Sequence, residues 1–206
     1  AGVEEAGGDQ APVLRLDGDR EGVEAALVEE AVLAAGALVG LGFVAAERRS
    51  IPAIGWGVCA AVGLGSVVAA IAVADEPIVR TVAIEWLDPV FVAGHWTPQL
   101  IEMAGGDDPL GLPGEPSPQL DWETVAATQP EVVVVMPCGF DAARSLELAE
   151  AFEAQLRATG ARKIACVDGS ATFSRPGPRL VDGLENLAHI LHPNAVPQAP
   201  GPILEL

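Results

Sequence analysis

Residues 131–136 read EVVVVM, four valines in succession between a glutamate and a methionine. Valine carries two substituents on Cβ and favours extended backbone. An unbroken apolar run of this length marks a strand covered on both faces, as in a parallel sheet. Two further runs flank it: Thr81 to Trp86 (TVAIEW) upstream and Lys163 to Val167 (KIACV) downstream. The segments between them carry helical signals. Pro98 to Ala104 reads as a helix stopped by Gly105-Gly106, and Asp121 is a good N-cap for a short helix to Thr128. Asp141 caps a longer helix, expected to run to about Thr159 and to end at Gly160. Gly177 or Pro178 opens a last helix whose Leu180, Leu184, Leu187, Ala188 and Leu191 form one stripe before Pro193.

Strand therefore alternates with helix from residue 77 to 193. The expected fold class is α/β, a Rossmann-like lobe with a parallel sheet flanked by helices. Upstream, residues 1–19 read as a frayed N-terminus with a short strand, Pro12 to Asp17 (PVLRLD). Residues 20–76 read as a long apolar helical connector preceding the lobe. Within it, Ile51 to Ala74 carries no charge and is long enough to be a membrane-span candidate. It is also rich in Gly and Ala, each Gly costing a helix in water about 1 kcal/mol relative to Ala. A span, a buried or partner-covered helix, and a defect in the sequence all stay open for this run. Residues 194–206 read as a C-terminal tail.

The chain of 206 residues has 29 acidic and 11 basic side chains, a formal charge of -18, and Lys163 is its only lysine. Without a basic patch to neutralise phosphates, nucleic acid is not an expected partner. Cys59, Cys138 and Cys166 show no metal-type spacing and no complete disulfide framework. The chain begins at Ala1 with no signal-peptide pattern, which leaves export undecided.

In an open parallel sheet, ligands gather beyond the C-terminal ends of the strands. Three loops lie there: Leu87 to Trp96 (LDPVFVAGHW), Pro137 to Phe140 (PCGF), and Asp168 to Arg179 (DGSATFSRPGPR). They combine Gly and Pro with aromatics, which suits a rigid rim for a large flat ligand.

The stretches EWLDPVFVAGHW, VVVMPCGFD and FSRPGPRLVDGLENLAHILHP resemble the C-terminal lobe of cobalamin-type substrate-binding proteins of ABC importers. In that helical-backbone class, two Rossmann-like lobes are joined by one long helix. The resemblance implies a corrinoid held between lobes and delivered to an ABC permease, in a periplasmic or extracellular setting. It implies a ligand-facing Arg175 with Phe173 stacking nearby, and Glu123 as a permease-docking carboxylate. The family's N-terminal lobe would precede PVLRLD, its connecting helix is charged where this one is apolar, and Ser117 stands where some relatives place a stacking aromatic.

Weighed singly, Trp86, Trp96 and Phe140 are candidate ligand contacts, although either tryptophan could equally seal the top of the sheet. His95 is a candidate axial ligand to a chelated metal or a simple cleft-lining group. Arg175 faces the ligand or pairs with Asp168 or Glu85. Cys138 lacks an adjacent base in sequence, so catalysis by it is not expected, and there is no P-loop or GxGxxG motif. The reading is a binding protein, not an enzyme, that needs no cofactor and carries cobalamin as its transported ligand. The rivals are a membrane-anchored α/β sensor, with 51–74 as its membrane segment, and an α/β enzyme using Glu85, His95 and Asp168. A binder of another metal chelate, such as a siderophore or haem, is the variant within the same class.

Overall fold

A computed structural model of the chain describes residues 69, 70 and 72–206. The readings of 1–19 and of most of the apolar connector, including the candidate span, lie outside the described residues. Among the described residues, no helix is long and apolar enough to cross a membrane.

The valine run is the central strand of a six-stranded sheet. In chain order the elements are β1 (Val79–Leu87), β2 (Val90–Val92), α1 (Thr97–Met103), β3 (Gly106–Asp107) and α2 (Trp122–Ala127). There follow β4 (Val132–Val135), α3 (Ala142–Ala151), α4 (Glu153–Ala158), β5 (Lys163–Val167), α5 (Gly169–Thr172), α6 (Leu180–Leu191) and β6 (Ile203–Glu205). The strand order is β2-β1-β4-β5-β6, with β3 also paired to β1. The three strands expected from sequence are its parallel centre: Thr81 sits opposite Val132, and Val132 opposite Lys163.

All four residues of β4 are buried because the sheet lies between two helical layers. Alternate side chains feed two separate cores. Ala83, Val134 and Ala165 face one layer with Ile101 of α1 and Leu187 of α6. Val82, Val133 and Ile164 face the other with Val125 of α2 and Leu156 of α4. Burying a leucine or isoleucine of this kind contributes about 1.5–3 kcal/mol, which makes the two cores the main source of cohesion.

Five features depart from the sequence reading. The first rim loop contains β2, which folds back antiparallel on β1 through Asp88 and a cis Pro89. Gly106, read only as a helix stop, begins β3, parallel to the start of β1. The expected helix 141–159 is two helices broken at Phe152, whose ring stacks on Trp122 while Leu156 is buried. The last helix begins at Leu180, because residues 177–181 first make tighter turns: Leu180 N–H donates to Gly177 O and Val181 N–H to Pro178 O. Finally, the expected tail returns as β6, antiparallel to β5, with Leu204 and Leu206 on the second core. Gly201 N–H donates to Oδ1 of the buried Asn186, which leads the tail onto the lobe.

Candidate ligand-binding site

The C-terminal ends of β1, β4 and β5 open onto one rim. A cleft of about 250 Å³ lies there, lined by Glu85, His95, Trp96, Met136, Cys138 and Phe173, with Thr97 and Ser174 completing its wall.

Each wall has a local cause. Gly94 lets the loop after β2 pass against the 115–117 backbone: a Cβ on it would lie 2.6 Å from both Glu115 O and Ser117 N. His95 follows with φ 55°, held by its N–H on Glu115 O and by Gly114 N–H on its own carbonyl, each at 2.7 Å. A non-glycine residue in this left-handed region is uncommon and is maintained by such surrounding bonds. His95 is thereby exposed on the rim, its ring 5.8 Å from that of Trp96.

Trp96 N-caps α1 and is half-buried; its Nε1–H donates to the Phe173 carbonyl at 2.9 Å. Phe173 is 96% buried and ends α5, whose N-cap Asp168 accepts the Ala171 N–H at 2.7 Å. Gly169 makes this short helix fit, since a Cβ there would lie 2.5 Å from Met136 O. Glu85 is half-buried, and its Oε2 accepts the Ser117 hydroxyl at 2.6 Å.

The structure gathers His95, Trp96 and Phe173 in one cleft. Trp86, Phe140 and Arg175 stand outside its lining. Trp86 is 38% exposed, meets Phe140 edge to face at 5.6 Å, and donates its Nε1–H to Asp88 O. Arg144 lies over the Phe140 ring, 4.5 Å from its centroid, a cation–π contact. Arg175 is exposed and makes no ion pair with a described residue, neither with Asp168 nor with Glu85. Glu123 sits exposed in the first turn of α2, which packs on the opposite face of the sheet from Trp96 and Phe173.

The cleft also contains groups that the sequence reading had not placed in it. From sequence, Glu85 is a partner for Arg175 or a member of the enzyme rival rather than a ligand contact, and Thr97, Met136 and Ser174 carry no signal of their own. No simple alternation marks Glu85, because β1 carries a register irregularity between Ile84 and Trp86 and sets Ile84 and Leu87 on the same core. Cys138 is exposed in the cleft, whereas burial pushes the Cys166 thiol up to about 12. Among the described residues, no group of three or more His, Cys, Asp or Glu side chains is placed to hold a metal ion. Asp168, the third member of the enzyme rival, caps α5 and is not part of the cleft lining.

No protein-family model matches the chain, and no curated protein does. Solved structures do. An ABC transporter substrate-binding protein from Listeria monocytogenes EGD-e superposes with TM-score 0.62 at 10% identity, covering 77% of this chain and 65% of that one. A periplasmic heme-binding protein from Roseiflexus sp. RS-1, in apo form, gives 0.54 at 22% identity, covering 73% and 60%. The periplasmic vitamin B12 binding protein of Vibrio cholerae gives 0.53 at 19% identity, covering 76% and 59%. The chain thus spans less than two-thirds of the length of each of these proteins. The likeness establishes the fold: a mostly parallel central sheet flanked by helices, as in a lobe of a periplasmic binding protein.

Proposed function

We propose that this chain contributes a ligand-binding lobe to the substrate-binding component of an ABC importer, and that it carries cobalamin or a related corrinoid to the permease without catalysing a reaction. The observation that carries this reading is the cleft at the strand ends. Its aromatic wall, Trp96 and Phe173, is locked by a hydrogen bond between two rim loops, and rigid aromatic surface of this kind contributes contact area at low entropic cost. In this reading Trp96, His95 and Phe173 contact the ligand within the cleft, while Trp86, Phe140 and Arg175 extend the contact along the rim. Glu123, on the other face of the sheet, docks on the permease. A periplasmic or extracellular location follows from the same reading.

The heme-binding neighbour supports a second ligand class, haem or another metal chelate, to the same degree as the B12-binding neighbour supports the first. Visible-absorption titration of the chain with cyanocobalamin, hemin and a ferric hydroxamate tests both. Saturable binding of a corrinoid supports the first reading. Binding of hemin or the hydroxamate alone transfers the role to that chelate, and binding of none of the three overturns the carrier reading.

A further inference from the structure

The cleft has one carboxylate and neither a lysine nor an arginine in its lining. That carboxylate, Glu85, is fixed: Oε2 accepts the Ser117 hydroxyl at 2.6 Å, and Oε1 accepts no hydrogen bond from a described residue. Ser117 is itself held by close passage of its backbone along Gly94. A half-buried carboxylate with one oxygen on a neutral donor presents negative charge and one open acceptor. In surroundings less polar than water, that charge acts strongly on whatever enters.

The size of the cleft decides what can enter. At about 250 Å³ it falls below the roughly 300–1,000 Å³ of sites that enclose a drug-sized ligand. A metal macrocycle does not fit inside, whereas a peripheral arm does, with the ring lying across the aromatic rim. The arm that reaches Glu85 must donate a hydrogen bond. An amide N–H satisfies the open oxygen, and a carboxylate is repelled. The exposed guanidiniums of Arg144 and Arg175 do not offset this, since neither lines the cleft nor pairs with Glu85.

We infer that Glu85, oriented by Ser117, is a specificity residue that selects chelates with amide or other N–H arms over chelates with carboxylate arms. The inference rests on the carrier reading above and goes beyond it, because it separates amide-bearing corrinoids from ligands with carboxylate peripheries.

The test compares cyanocobalamin with cyanocobalamin whose peripheral amides have been hydrolysed to carboxylates, titrated against the native chain, Glu85→Gln and Ser117→Ala. The native chain should prefer the amide form by about tenfold or more, a free-energy difference of at least about 1.4 kcal/mol. Glu85→Gln, which keeps the shape and removes the charge, should bring that ratio to within about threefold. Ser117→Ala should lower affinity for the amide form while leaving the preference in the same direction. If the native chain and Glu85→Gln bind both forms with the same ratio, the role of Glu85 is overturned and the carrier reading stands. If neither form binds and hemin does, the amide selection is overturned and the carrier reading passes to a carboxylate-bearing chelate. If no chelate binds, both fall.

Discussion

The indole Nε1–H of Trp96 donates to the carbonyl of Phe173 at 2.9 Å, joining two rim loops that lie 77 residues apart in the chain. This bond closes the aromatic wall of the cleft. Trp96→Phe keeps an aromatic ring but removes the donor and leaves the Phe173 carbonyl without it. We expect a loss of about 1–3 kcal/mol in urea unfolding, together with weaker chelate binding. A variant as stable as the native chain would show that the bond does not hold the loops.

Gly94 offers a test through the backbone. An alanine Cβ would lie 2.6 Å from Glu115 O and Ser117 N, and both are main-chain atoms that cannot simply swing aside. Gly94→Ala should therefore displace the 114–117 segment, lower stability by about 1–3 kcal/mol, and disturb His95 and the Glu85–Ser117 bond together. Gly139→Ala is the control. Its φ is +83° and the space around a Cβ is open, so the expected cost is only the conformational one, about 1–2 kcal/mol. Thermal melts and ligand titration of the pair separate displacement of the site from plain backbone strain.

The two cysteines among the described residues should divide by reactivity. Cys138 is exposed at the rim, while Cys166 is buried in the second core with its thiol pushed up to about 12. The thiolate is the reactive form, so iodoacetamide at neutral pH should alkylate Cys138 readily and leave Cys166 untouched until the chain unfolds. Peptide mapping by mass spectrometry reads both sites. Bound chelate should protect Cys138, because that thiol shares the cleft with Trp96 and Phe173.

Asp108 should make the 108–117 loop sensitive to acid in an unusual direction. Its Oδ1 accepts the Leu110 and Gly111 N–H groups, but Oδ2 is buried without a partner, and burial raises its pKa above 3.8. A carboxyl with a raised folded-state value binds its proton more readily in the folded than in the unfolded chain. Its contribution to stability therefore improves as pH falls through the folded value toward 3.8, and it is a liability above that window. Asp108→Asn keeps the Oδ1 acceptor and removes the charge. Its melting temperature relative to the native chain should be most favourable at neutral pH, with the gap narrowing on acidification. A gap that widens on acidification would contradict this assignment.

The centre of the sheet was legible in sequence for a physical reason. Within TVAIEW, EVVVVM and KIACV, the stretches TVAI, VVVV and IACV are mostly apolar, rich in β-branched residues and buried on both faces, so local preference and final environment agree. The caps at Asp121, Asp141 and Asp168 depend on side chains reaching backbone a few residues away. The first two were read as caps from the sequence, and all three side chains accept the expected type of N–H. The break at Phe152 was not legible, because it is set by Trp122, thirty residues upstream, on which the ring stacks. Strands β2, β3 and β6 were missed for a related reason. At two or three residues each, they exist only through pairing with β1 or β5 and carry little pattern of their own.

The site divides in the same way. By itself the sequence determined that three Gly- and Pro-punctuated loops follow three buried strands, because strand pattern and turn chemistry are local. It thereby named His95, Trp96 and Phe173 as rim residues. Only the tertiary structure decided which rim side chains share a cleft. β1 has a register irregularity between Ile84 and Trp86, Glu85 lines the cleft while Trp86 lies outside it, and the close passage at Gly94 brings Ser117 onto the carboxylate. Trp96 is bonded to Phe173 because the sheet sets the ends of β1 and β5 on either side of β4. Contacts of that range depend on how strands pair and layers pack, and no local pattern encodes them.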